Sequence, residues 1–446
     1  MKELAAPALL VVPFTYPDYP AGDVKRQIDR SLEVLRTAGF SVHATPAVLT
    51  PADVAPVLAR LRAAECDAIV ALVVSWVEPP LFVATLRPFF SAGTPILLWS
   101  HTIYYEQGVG LTLGALPAAG VLRETLEEME ANFAFVYGMP DDPALMPAIR
   151  TFARAAAARR ALANARIGLL GYASMGMYTA TIDHTQLRRQ VGPEIDHLDQ
   201  YEVVVRYEKI EDAAVEAPLA AAESWQCGER VSRDDLRKAF RMAVALCSLA
   251  EERAWDALTV KCQYELSRTF GLAPCLPLSI LGDEMVVSCE GDLPLVVSQL
   301  LLHALTGEPT SYGDLHNVTA THILLGACGF APLGYAAARP IIEKHTALYE
   351  GLLNSSPYRP GPVTLARLGA RRGRFKLHFA AGQAELPPPF HEVGCPTYPF
   401  VNVALDGDPA AFMQQVPSQH YAIAYGDVRA ELRALCQLLD IEAIET

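Results

Sequence analysis

The residues best placed to do chemistry are two carboxylates, Glu290 and Asp314, within the stretch CEGDLPLVVSQLLLHALTGEPTSYGD that runs from Cys289 to Asp314. Between them, Leu293 to Leu305 is an almost wholly apolar run broken by Pro294, Ser298, Gln299 and His303, the pattern of a buried helix. Asp292 is suited to cap it, Pro294 falls in the first turn where a missing N–H breaks no helical bond, and Gly307 ends it. Such a helix carries the chain roughly 20 Å at about 1.5 Å per residue. Glu308 to Gly313, if extended, returns it by about 20 Å at about 3.3 Å per residue. Glu290 and Asp314 can therefore meet at one rim of a sheet, where open α/β folds keep their ligand sites. Like charges at close range cost free energy unless a cation or a proton sits between them.

Three segments also carry a family resemblance. Cys289-Glu290-Gly291-Asp292, the apolar helix ending Leu305-Thr306-Gly307-Glu308-Pro309, and Tyr312-Gly313-Asp314 resemble the L-fucose isomerase and L-arabinose isomerase superfamily. A further match runs from Gln419 through His420 and a strand to Gly426-Asp427 and a last helix. The likeness covers the second half in sequence and the first half in architecture. It implies that Glu290, Asp314 and His420 bind one divalent ion, Mn²⁺ or another such as Mg²⁺ or Co²⁺, and that Glu290 and Asp314 are the catalytic acid/base pair. It also implies a homo-oligomer with active sites near subunit interfaces. One departure stands out: in Gly326-Ala327-Cys328-Gly329, Ala327 occupies the place where many members carry a His. An arabinose-type four-ligand set is therefore not expected.

Two carboxylates and an imidazole with open positions suit a Mn²⁺-like ion better than a structural zinc. The implied reaction is aldose–ketose isomerisation through a cis-enediol, the ion polarising the carbonyl while the carboxylates move protons. Two other readings remain open on the sequence. One is a protein of the same fold that binds a sugar without turnover, and the other is an epimerase or isomerase for a modified, for example sulfonated, sugar.

Positioning such a site calls for α/β architecture. Ala8 to Val12, Ser41 to Ala44, Ala68 to Val74 and Pro95 to Ser100 read as strands, with helices at Asp23 to Ala38, Pro51 to Ala63 and Pro80 to Phe90 between them. That alternation predicts a doubly wound parallel sheet. No GxGxxG follows the first strand. Trp76 and Trp99 stand at or just past strand ends and are candidate sugar contacts. An Ala-rich helix, Asp142 to Ala163, connects to a second α/β unit that starts with a strand, Ala165 to Gly171, and a glycine-containing loop to Tyr178. Later, a helix from Val231 to Arg253 leads to the strand Ala257 to Val260 and to Lys261 and Gln263, two more substrate-binding candidates. After Asp314 we expect a helix at Pro340 to Leu353 and a linker at Ser356 to Pro362. Strands at Val363 to Leu368, Arg374 to Ala380 and Pro399 to Leu405 then suggest a small barrel. The expected organisation is two doubly wound Rossmann-like parallel-sheet domains, 1–164 and 165–307, followed by a β-barrel-like domain, 308–446.

Composition narrows the partners. At 446 residues, 51% hydrophobic and 19% charged, the chain is globular rather than disordered. A net charge of -14 argues against nucleic acid, and the one dense basic run, Arg367 to Lys376, reads as a solvated turn. Nine cysteines without CxxC spacing fit reduced thiols in a cytoplasmic enzyme. No apolar stretch is long enough to span a membrane, and Met1 to Ala6 lacks the layout of a signal peptide. A small-molecule sugar is thus the expected partner.

Overall fold

The computed structural model describes residues 5–345, 350–389 and 398–446. The chain divides into two compact units, Leu4–Arg160 and Ala161–Thr446, with the division inside the helix Leu145–Asn164.

In the first unit the strands Ser41–Ala44, Ala8–Phe14, Ala68–Val73, Ile96–Ser100 and Phe133–Tyr137 lie side by side in that order, all parallel. The central strands are apolar on both faces because helices cover both, which is why Ala68–Val73 is buried at every position. At the point where the strand order reverses, Thr15 Oγ1 and Ser75 Oγ are 2.8 Å apart. Trp99 is wholly buried, its Nε1 donating to Gly138 O at 3.1 Å.

Among the described residues the second unit holds three sheets, of which two build the site. Val286–Cys289, Ala257–Val260, Arg166–Leu170 and Glu194–Leu198 form a parallel sheet in that order. Six strands close into an antiparallel barrel: Gly361–Arg371, His420–Tyr425, Ser311–Val318, His322–Ala327, Tyr398–Leu405 and Arg374–Glu385, the last pairing again with the first. Closure removes the open edges that an antiparallel sheet would otherwise expose.

The helix Leu293–Thr306 joins sheet to barrel, and the polar residues that interrupt its apolar run make the joint. Asp292 Oδ1 accepts from Leu295 N at 3.0 Å, and Gly307 closes the far end in the left-handed region, φ 72°. Ser298 Oγ accepts from Leu368 N of the barrel at 2.8 Å. Gln299 Nε2 donates to Val287 O of the parallel sheet at 2.9 Å and to Thr310 O at 3.3 Å. Each of these buried side chains therefore satisfies backbone that the helix would otherwise strand.

Two expectations about the later chain are corrected. Pro340 to Leu353 is not a helix: β-branched Ile341 and Ile342 begin a strand, Ile341–Lys344, that pairs antiparallel with Leu352–Asn354, while 346–349 lie outside the described residues. Ser356 to Pro362 is not a free linker either. Tyr358 is fully buried, stacked on Phe400, with its backbone N donating to Phe400 O at 2.8 Å. Among the described residues, no helix is long and apolar enough to cross a membrane.

His101 provides a test of the first unit's packing. Burial, followed by the nearby Arg30 charge, pushes its imidazole down to about 4, and only Nε2 has a partner, Ser31 Oγ at 2.9 Å. Because the folded pKa lies below the unfolded one, His101 stabilises the neutral-pH fold, and this is lost as pH falls below about 6.5. Between pH 7 and 5 the unfolding free energy of the native chain should fall about 2 kcal/mol more than that of His101→Asn, as measured by denaturant titration at each pH.

Candidate active site

The strand Val286–Cys289 delivers Glu290 into a tight turn. Glu290 and Gly291 take consecutive positive φ values, 66° and 63°. For a glutamate that conformation costs about 1–3 kcal/mol. Ser174 N donates to Glu290 O at 2.8 Å, and Gly291 N donates to Val260 O at 3.2 Å. Nothing larger than glycine fits next: a Cβ at Gly291 would lie 2.1 Å from Tyr172 O. The loop after Arg166–Leu170 thus clamps the turn that aims the Glu290 carboxylate.

Asp314 and His420 arrive from the barrel. They are directly opposed across the antiparallel pair Ser311–Val318 and His420–Tyr425, so strand register makes them neighbours. His420 Nε2 lies 3.1 Å from Asp314 Oδ1 and 3.6 Å from Glu290 Oε2. On the ring's other side, Nδ1 is 2.8 Å from Asp292 Oδ2. Asp292 therefore has two tasks, since its Oδ1 caps the helix while its Oδ2 orients the imidazole. Arg367 holds the same carboxylate, Nη1 to Oδ2 at 2.9 Å, and donates from Nη2 to Thr179 O at 2.8 Å. Glu290, Asp292, Arg367 and His420 are all at most 2% exposed.

Charge decides how these groups titrate. Burial raises the Glu290 carboxyl above its usual range, against the pull of His420, and the Asp314 and Asp292 charges add to the rise. Burial would also raise Asp292, but Arg367 and His420 outweigh it and hold it low. At His420 burial disfavours the charged ring, yet Asp314, Asp292 and Glu290 together lift it well above the ordinary value. Three carboxylates facing one guanidinium demand further positive charge, which a proton on Nε2 or a metal ion there can supply.

The donor set fits a divalent ion. Asp292 on Nδ1 favours the tautomer whose Nε2 carries a lone pair, the usual outer-shell arrangement of a metal-binding histidine. Separations of 3.1 and 3.6 Å from Nε2 are near the roughly 3.1 Å between neighbouring corners of an octahedron with bonds of about 2.2 Å. Among the described residues a second, sulfur-containing grouping adjoins it: ligand atoms of Cys262, Cys289 and Glu290 all lie within 4.8 Å of one another.

The remaining expected contacts scatter. Gln263 is buried and donates from Nε2 to Glu290 Oε1 at 3.2 Å, so it fixes the carboxylate's orientation. Lys261 pairs with Glu265 at 3.0 Å and lines a cavity of about 580 Å³ with Gly171, Tyr172, His197 and Gln200. That cavity opens where the order of the parallel strands reverses, beside Arg166–Leu170 and Ala257–Val260. Trp76 and Trp99 belong to the other unit. Trp76 is half-buried against its core, and Trp99 leaves no face free for a sugar.

Sequence reading missed Arg367 and the second role of Asp292. Arg367 is not part of a solvated turn; it is fully buried in the barrel strand Gly361–Arg371, between buried Ala366 and Leu368. A lone cation in that apolar run was the available signal. Cys328, whose Sγ lies 3.6 Å from Glu290 Oε1, was passed over as a neighbour of the missing histidine.

No family model matches the chain. A curated sulfoquinovose isomerase from Priestia aryabhattai is 24% identical over 439 residues, covering 95% of this chain and 95% of that protein. The chain is a relative of curated sugar isomerases. Sulfoquinovose isomerases of Alkalicoccus urumqiensis, at 24% identity over 79% of this chain and 80% of theirs, and of a Clostridium species, at 25% over 81% and 82%, repeat the similarity.

Removing the buried cation should expose the charge imbalance. Arg367→Leu is expected to cost about 3–5 kcal/mol in denaturant unfolding, and adding Asp292→Asn should recover part of the loss. Equal costs for the single and double variants would mean that the pairing with Asp292 is not what Arg367 supplies.

Proposed function

We propose that this chain is a divalent-metal-dependent aldose–ketose isomerase of a sulfonated sugar such as sulfoquinovose. The observation that carries the reading is the convergence of two buried or half-buried carboxylates on one imidazole nitrogen, in a wall short of positive charge. Glu290, Asp314 and His420 would hold the ion, and Mn²⁺, Mg²⁺ or Co²⁺ all suit such a mixed oxygen and nitrogen set. The sulfonated substrate is suggested by what the relatives are named for.

An aldose becomes its ketose when the C2 hydrogen is removed as a proton and a proton is added at C1, with one further proton passing from O2 to O1. The bound ion would supply Lewis acidity to those two neighbouring oxygens of the open-chain sugar. One of Glu290 and Asp314 takes the C2 proton while the C–H electron pair becomes the C1–C2 double bond. The same proton or one from solvent then returns to C1 as the carbonyl re-forms at C2. The other carboxylate moves the hydroxyl proton. Gln263 and the clamped turn keep Glu290 aimed throughout, and Asp292 keeps Nε2 free of a proton when the ion is present. Lys261, beside the cavity, is the proposed contact for the substrate's anionic end.

Purified protein with Mn²⁺ should convert sulfoquinovose to the ketose, and chelation should stop it. Glu290→Gln and Asp314→Asn should each lower kcat by about 100- to 10,000-fold. Full turnover after exhaustive chelation, or in both variants, would sink the proposal.

The electrostatics add a pH dependence. Nε2 must lose a proton whose pKa is held high before it can accept an ion, so apparent Mn²⁺ affinity should weaken steadily as pH falls. Titration calorimetry at several pH values reads this directly, and an affinity that is flat with pH would remove His420 from the ligand set.

A further inference from the structure

Beside Glu290 the wall also carries sulfur, and the barrel residue Tyr312 meets it with its hydroxyl 2.6 Å from Cys289 Sγ. Cys289 ends the strand Val286–Cys289, and Val260, opposite it in register, ends Ala257–Val260 two residues before Cys262. Gly291 N donates to Val260 O, which folds the turn back over this corner. The result is that two thiols and the Glu290 carboxylate have ligand atoms mutually within 4.8 Å, and all three residues are at most 4% exposed. A third sulfur, Cys328 Sγ, contacts Glu290 Oε1 at 3.6 Å. Gln263, also buried, brings its Nε2 to the same oxygen and leaves its own Oε1 without a partner.

Tetrahedral zinc with Zn–S bonds of about 2.3 Å separates neighbouring sulfurs by roughly 3.8 Å. The corner brings the same donor types together, its ligand atoms lying within 4.8 Å of one another. Its chemistry is opposite to that of the Asp314 and His420 side, since thiolates select zinc-like and softer ions while carboxylates and water suit Mn²⁺ and Mg²⁺.

We infer that Cys262, Cys289 and Glu290 form a second metal site, selective for Zn²⁺ or Cd²⁺, that shares Glu290 with the Asp314 and His420 side. Loading it releases one proton from each of the two thiols to solvent, and the thiolates and the carboxylate then bind the ion with no change of oxidation state. Cys328 or a water completes the shell. Glu290 faces both sides, its Oε1 toward Cys328 and Gln263 and its Oε2 toward His420, so the carboxylate would bridge the two sites. The existence of the second site depends only on the sulfur geometry and not on the proposed isomerase activity.

The test uses the full chain, reduced and freed of metal, titrated with Cd²⁺ while the ultraviolet thiolate-to-cadmium charge-transfer absorption is followed. A band saturating at one equivalent is expected. It should be lost in Cys262→Ser and in Cys289→Ser, weakened in Glu290→Gln, and kept in Cys436→Ser and Asp314→Asn. Cadmium NMR of the unsubstituted chain, with a resonance in the region of mixed sulfur and oxygen ligation, gives the same answer without any variant. Absence of the band and resonance, or a band that survives both cysteine substitutions, overturns the inference. Retention in Asp314→Asn separates this result from any failure of the isomerase reading, which that variant tests through turnover instead.

Discussion

The site depends on a shortage of positive charge. Glu290, Asp292 and Asp314 surround one imidazole, and the fixed cation among them is Arg367. Two like charges about 4 Å apart repel by about 4 kcal/mol at an effective dielectric near 20, and Glu290 and Asp292 are almost fully buried. The fold does not relieve this by neutral substitution. Compensating charge can enter at Nε2, as a proton or, on the function proposed above, as a divalent ion competing for the same lone pair. Asp292 already takes up Nδ1, so the competition is confined to one atom.

The rest of the second unit can be understood as what holds that arrangement rigid. Glu290 sits in a strained turn whose flanking glycine leaves room for the Tyr172 carbonyl, so the strain is offset by hydrogen bonds from Ser174 and to Val260. Asp314 and His420 need no such device, because antiparallel register alone opposes them. The helix between Glu290 and Asp314 is tied at Ser298 to the barrel and at Gln299 to the parallel sheet, so the two carboxylates are fixed relative to each other. Arg367 then links the barrel, the helix cap and the loop at Thr179 through one side chain.

Much of this was readable from the chain itself. The helix, its Asp292 cap, its Gly307 terminus and the rim meeting of Glu290 with Asp314 follow from hydrophobic period and end signals, which are local. The parallel sheets follow from alternating strands and helices, though strand order does not, because the sequence carries no record of which neighbour each strand chooses. Where local pattern misled, a tertiary partner was the cause. Arg367 looked solvated because its neighbours Arg371, Arg372 and Arg374 are charged, and the carboxylate that buries it is 75 residues away. Ile341 and Ile342 looked helical until Leu352–Asn354 offered a strand to pair with. Trp99 at a strand end suggested a ligand, yet the Gly138 carbonyl had already claimed its N–H.

The central claim is spatial: one ion, three named ligands. The most direct measurement is the anomalous diffraction of a crystal grown with Mn²⁺, collected at the manganese edge. A single strong peak within bonding distance of Glu290, Asp314 and His420 Nε2 is the result this account requires. A peak placed elsewhere, or none while Nε2 remains engaged with both carboxylates, would contradict it.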